Sequence, residues 1–153
     1  MNNINYTIRV YGLVINTKGE ILLSDELAFG KRITKLPGGG MEKGEGTLDT
    51  LHREFMEELQ ATIEIREHFY TTDFYQPALG KTEYQLMSIY YFVNIKTNIS
   101  GKISAQPFDK KNFKPGDQTF RFVSIDKLKS SDLTLPIDQI VIQKLIQSKN
   151  LKS

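Results

Sequence analysis

The chain of 153 residues contains no cysteine and only two histidines. Without thiols there is no disulfide framework, no thiolate nucleophile and no cysteine-based zinc or iron–sulfur site. His52 and His68 do not have the spacing of a zinc pair, and no Ser-His-Asp set can be argued around either. Long apolar runs are missing as well. The longest, residues 10–15 and 89–93, fall far short of the ~20 needed to span a bilayer. The opening stretch MNNINYTIRV shows neither a basic nor an apolar leader segment. A soluble, cytoplasmic protein is therefore expected, and the triplets Asn5-Tyr6-Thr7 and Asn98-Ile99-Ser100 are read as chance matches to the glycosylation pattern. The phosphate loop GxxxxGK[ST] is absent, although Gly39, Gly40 and Lys43 lie close together. There is no basic stripe of the kind that tracks a nucleic-acid backbone. Neither a membrane nor a nucleic-acid polymer is an expected partner.

What remains is an ordinary globular composition, with 39% hydrophobic and 25% charged residues, at the length of one domain of about 150 residues. A single domain over residues 1–153 is expected. The net charge of +2 is unevenly spread. Between Glu42 and Glu58, six acids (Glu42, Glu45, Asp49, Glu54, Glu57, Glu58) stand against two bases, Lys43 and Arg53. That concentration suits a site where divalent cations sit beside a phosphate, and it equally suits a solvated acidic helix face.

Residues 6–15 (YTIRVYGLVI) read as a strand ended by the turn signal Asn16-Thr17-Lys18-Gly19, and 20–24 as the returning strand of a hairpin. Residues 32–36 lead into Pro37-Gly38-Gly39-Gly40, expected to be a loop because three glycines hold neither helix nor strand well. A helix is expected over 47–59, with Thr47 as N-cap and Leu48, Leu51, Phe55 and Leu59 as its apolar stripe. Strands follow at 62–72, 85–95 and 119–125, one helical turn at 126–129, and a closing helix over 136–149 with Pro136 in its first turn. Ile137, Ile140, Val141, Ile142 and Leu145 form its apolar side. The order of elements predicts a mixed α/β layer structure.

Glu54, Glu57 and Glu58 stand at i, i+3 and i+4 on the first helix, so the three carboxylates share one face. Such a group repels itself unless something holds it. Hard divalent cations favour oxygen ligands of this kind, so the cluster reads as a Mg²⁺ or Mn²⁺ site. Gly38 and Gly39, lacking side chains, can offer a carbonyl and let a phosphate approach. Glu45 lies near enough to Arg53 for the arginine to hold the carboxylates in place.

The spacing Gly39-x5-Glu45-x7-Arg53-Glu54-Phe55-x-Glu57-Glu58 resembles the Nudix box of the Nudix hydrolases. The approach Leu36-Pro37-Gly38-Gly39-Gly40-Met41-Glu42-Lys43-Gly44-Glu45 is similar to that family's as well. Two positions depart: Phe55 replaces an aliphatic residue, and Gln60-Ala61 stand where the family carries glycine and a bulky aliphatic residue. The resemblance implies a Nudix-fold α/β/α sandwich with a mixed β-sheet, a box helix and a C-terminal helix. It implies metal coordination by Glu54, Glu57, Glu58 and the Gly38 carbonyl, with Arg53 and Glu45 orienting the set. The implied reaction is attack of water on a diphosphate linkage of a small nucleotide substrate. Glu54 or Glu58 serves as general base, or an acid from a later loop does, for which Asp117 is the candidate by position; a plain turn aspartate is the competing reading.

Two features bear on substrate. Pro77 lies 16 residues past Ala61, a spacing similar to that of ADP-ribose pyrophosphatases in the family, with Tyr75 in Phe74-Tyr75-Gln76 placed to stack on a base. The segment Leu135-Pro136-Ile137-Asp138 resembles the start of the last helix in nucleotide-pool-sanitising triphosphatases, where the residue at the Asp138 position reads a base edge. A first-turn acid favoured by the helix dipole explains Asp138 equally well. The expected function is a metal-dependent pyrophosphohydrolase acting on a nucleoside diphosphate derivative or a nucleoside triphosphate. The alternative is a non-hydrolytic nucleotide sensor, against which the complete set of box acids counts. A cysteine-dependent isomerase is not supported in a chain without cysteine. By analogy with the family, a homodimer is expected.

Overall fold

The strands build two separate sheets, interleaved along the chain, in this computed structural model, which describes residues 3–151. The expected limits of the domain, residues 1 and 153, lie outside the described residues. The chain divides into two compact units, one built from the residues up to Leu13 with Gly38–Ile99, the other from Val14–Pro37 with the residues from Ser100 onward.

In the first unit, β1 (Asn5–Leu13) is central, flanked by β4 (Gly38–Gly40) and β7 (Lys81–Ile95); β5 (Ile63–Thr71) and the short β6 (Pro77–Ala78) pair with β7. β1 runs parallel to β7 and antiparallel to β4, so the sheet is mixed. The triple glycine is thus a strand and not the expected loop. At Gly38 the strand comes too close to β1 for a side chain: a Cβ there would lie 2.1 Å from the Val10 carbonyl oxygen, and its φ of +146° suits glycine alone. The helix α1 (Thr47–Leu59) covers one face of this sheet, with Leu51, Phe55 and Leu59 buried. The bare backbone of Gly12 makes room for Phe55 and Val93, which a Cβ there would meet at 2.9 and 3.0 Å. Leu48, expected in the apolar stripe, is 48% exposed, and buried Thr50 takes the place beside Leu51.

In the second unit, β2 (Glu20–Ala28) lies between β3 (Lys31–Lys35) and β8 (Gln118–Ser124), all antiparallel. The expected hairpin into β2 is confined to Val14 and Ile15: Leu22 N–H donates to Val14 O, and Ile15 bridges Ile21. The true hairpin of this unit, β2 to β3, turns on Phe29 and Gly30, both at positive φ. The helical turn expected at 126–129 is a pair of turn hydrogen bonds, Lys127 N–H to Ser124 O and Leu128 N–H to Ile125 O, followed by a 3-10 turn at Ser130–Asp132. Helix α2 (Pro136–Leu151) buries Ile137, Val141, Ile142 and Leu145. No helix among the described residues is long and apolar enough to cross a membrane.

Candidate active site

The chain enters α1 through Gly46, which takes the N-cap place expected for Thr47. With no cap side chain, the contact runs the other way: the Gly46 N–H donates to Asp49 Oδ2 at 2.8 Å. Just upstream, Glu45 turns its carboxylate toward the helix. It accepts from the Glu42 amide at 3.0 Å and from the hydroxyl of buried Thr50 at 2.9 Å.

Arg53, two turns along, reaches back to that carboxylate. Its Nε and Nη2 both donate to Glu45, a two-pronged pairing whose Nε contact is the closest of the set. Nη2 also donates to Gly40 O at 2.8 Å, tying α1 to β4. Nη1 donates to Glu54 Oε1 at 2.9 Å and to Glu57 Oε2 at 3.3 Å, with Glu42 Oε1 at 3.7 Å. The hydrogen bonds from Arg53, then those from the Glu42 amide and Thr50, draw the Glu45 pKa from 4.5 down to about 2. The same contact with Glu45 raises the pKa of Arg53, so the pair is ionised throughout the neutral range.

Glu54 is pressed against β4. A Cβ on Gly39 would come within 2.3 Å of its Oε1, so any larger residue there would displace the carboxylate. Glu57 is exposed and Glu58 half-buried. The donor set is all hard oxygen, which fits a magnesium-class ion. Among the described residues, no three acids converge tightly enough to hold an ion as the side chains stand. Glu54 and Glu57 instead share Nη1 of Arg53, and the exposed Glu57 is free of packing that would keep it there. At its other end α1 closes on Gln60 in the left-handed conformation (φ 50°, ψ 39°), with Gln60 N–H to Met56 O at 3.0 Å and Ala61 N–H to Phe55 O at 3.2 Å. The helix end keeps the geometry a glycine would give it.

The first unit therefore gathers Gly38, Glu45, Arg53, Glu54, Glu57 and Glu58 on β4 and α1 and their connection, and holds Tyr75 on an exposed loop. Asp117 and Asp138 belong to the second unit. Asp117 is ion-paired with Lys110 at 2.7 Å and capped by the Lys114 amide at 2.8 Å, contacts that lower its pKa and weaken it as a proton acceptor. Asp138 is fully buried, with Oδ2 3.4 Å from the Leu36 amide it accepts from. Sequence reasoning missed Thr50 and the Gly40 carbonyl. Thr50 carried a signal, a hydroxyl on the otherwise apolar buried side of the helix; a backbone carbonyl carries none.

A model of the NUDIX domain matches residues 5–144. No curated protein is significantly similar in sequence. Among solved structures, the E. coli ORF135 protein is similar at 16% identity and a TM-score of 0.69, over 95% of this chain and 92% of that one. The MutT protein from Methanosarcina mazei Go1 gives 20% identity and 0.66, over 98% and 99%. A UDP-X diphosphatase gives 16% and 0.59, over 97% of this chain and 66% of its own. These likenesses are of fold, and the fold they share is the mixed α/β arrangement described above.

Proposed function

The chain belongs to the NUDIX domain family and is a Nudix hydrolase, and from that premise we propose that it cleaves the diphosphate linkage of a nucleoside diphosphate derivative or a nucleoside triphosphate, using Mg²⁺ or Mn²⁺. The family acts on small nucleotide substrates and generally uses a divalent metal. The observation that carries the reading is the Arg53 cluster: one guanidinium faces four carboxylates, Glu42, Glu45, Glu54 and Glu57, an excess of negative charge that invites a cation. We take both units as one domain, which the span of the family match supports.

Glu54, Glu57 and Glu58, with the Gly38 carbonyl, would hold the metal. Bound there, a divalent ion neutralises the diphosphate and lowers the pKa of the attacking water. Arg53 fixes Glu54 against Gly39 while Glu45, kept ionised, fixes Arg53. Glu54 or Glu58 then accepts the proton of the attacking water, in preference to Asp117, whose pairing with Lys110 works against it. Tyr75, 68% exposed, has the accessibility a base-stacking residue needs. Asp138, buried against the Leu36 amide, serves to seat α2 on the end of β3.

The test is phosphate release with Mg²⁺ from ADP-ribose, nucleotide sugars, dinucleoside polyphosphates and normal and oxidised nucleoside triphosphates, with and without alkaline phosphatase and with pyrophosphatase in parallel. A signal from one substrate class that EDTA abolishes is expected. Silence across the panel from protein that still binds Mg²⁺ would transfer support to the sensor reading.

A further inference from the structure

Gly40, Arg9 and Ser88 form one row across three strands of the first unit's sheet, Arg9 pairing with Gly40 of β4 on one side and with Ser88 of β7 on the other. Side chains alternate along a strand. A Cβ on Gly12 would meet Phe55 of α1 and Val93 of β7, so Arg9, Tyr11, Ser88 and Tyr90 belong to the face opposite the helix. Tyr11 and Tyr90, themselves cross-strand partners, stack with centroids 5.2 Å apart. The row starts at the site described above. Arg53 holds the Gly40 carbonyl, and Arg9 Nη1 stands 3.6 Å from where a Cβ of Gly40 would be. Arg9 Nε donates to the Tyr11 hydroxyl at 2.6 Å, which fixes the guanidinium on this face of the sheet.

Ser88 makes the row more than packing. It is fully buried, yet its Oγ has no hydrogen-bond partner among the described residues. Its own backbone is already engaged: the amide donates to Thr72 Oγ1 at 2.8 Å, and the carbonyl accepts from the Thr72 amide at 2.9 Å. A buried hydroxyl left alone destabilises the protein that carries it, and an alanine there would not. The hydrogen-bonding capacity of the hydroxyl is therefore unspent, on the residue that pairs across the ladder with Arg9, whose guanidinium donates but does not accept.

We propose that Arg9 and Ser88 are specificity-determining residues that donate hydrogen bonds to an acceptor oxygen of the nucleotide substrate, an assignment that rests on the hydrolase reading above. The oxygen belongs either to the nucleoside or to a phosphate, and the test separates the two. Calorimetric binding of ADP-ribose, dGTP, UDP-glucose and inorganic pyrophosphate is compared between the wild type, Ser88→Ala and Arg9→Gln, with Ca²⁺ in place of Mg²⁺. Each variant should bind at least one organic probe about tenfold more weakly, while Ser88→Ala melts at the wild-type temperature or above it. A purely structural serine would not weaken binding while stability holds. Weaker binding of pyrophosphate as well assigns the oxygen to a phosphate; an effect confined to the organic probes assigns it to the nucleoside. Wild-type affinity for every probe in both variants overturns the proposal, as does a wild type that binds none of them. A wild type that binds a probe but releases no phosphate with Mg²⁺ or Mn²⁺ defeats the hydrolase reading and leaves the row standing.

Discussion

Arg121 faces one carboxylate and Arg53 faces four. In the second unit, Arg121 Nε and Nη2 grip the two oxygens of Asp25 at 2.7 and 3.2 Å, and Thr34 Oγ1 donates to the same carboxylate at 2.6 Å. Asp25 is fully buried, its charge is matched one for one, and its oxygens are occupied. In the first unit, Arg53 is shared among Glu42, Glu45, Glu54 and Glu57, two of them exposed. A pair that only supports a sheet can close its charge and shed water. A group that takes up a cation must leave negative charge uncompensated and within reach of solvent, and under the proposed function the four acids around Arg53 are held in that way at a cost in mutual repulsion.

The contrast is sharpened by breaking each side. Asp25→Ala strands a partly buried guanidinium and should destabilise the fold by about 3–5 kcal/mol, read as a lower midpoint in urea. Glu57→Gln should do the reverse, cutting turnover by about a hundredfold or more, since loss of a ligand costs at least as much as loss of a residue that supports one. Its melting temperature should hold or rise, because a like charge is removed. Near-normal turnover under Mg²⁺ would remove Glu57 from the metal set.

Between these lies a dependence on pH. Glu45 has a folded pKa of about 2 against an ordinary 4.5, so it binds protons less readily when folded. Its contribution to stability is complete above about 4.5 and disappears as pH falls from there toward about 2. Melting curves across that interval should fall more gently for Glu45→Gln than for the wild type; parallel curves would place the acid sensitivity elsewhere. The smallest effect is at the end of α1. Gln60→Gly should stabilise by about half to one kcal/mol, since the left-handed backbone at Gln60 burdens a residue with a Cβ and suits glycine.

The cluster around Arg53 was legible because its geometry depends on spacing along one helix and the turn before it. Glu45, Arg53, Glu54 and Glu57 could be related by arithmetic, and the pairing of Arg53 with Glu45 is the one expected. What escaped depends on partners remote in sequence. Gly38–Gly40 reads as a loop until β1 and α1 are beside it, because the close approach of β1 explains Gly38 and the Glu54 carboxylate explains Gly39. Leu48 fits the helical period but falls just outside the covered sector of α1, where local periodicity cannot say how wide the contact with the sheet is. Asp25 pairs with Arg121, 96 residues away, so its fully buried charge has no local signature. The same holds for Ser88, whose unpaired hydroxyl is visible only once the backbone contacts with Thr72 are known.

The most direct test of the open-charge account is a Mn²⁺ titration followed by electron paramagnetic resonance, comparing the wild type with Glu57→Gln. The account expects the wild type to take up Mn²⁺ and the variant to bind it at least tenfold more weakly. Equal uptake by both proteins, or none by the wild type, would contradict the claim that the carboxylates around Arg53 are held for a metal ion.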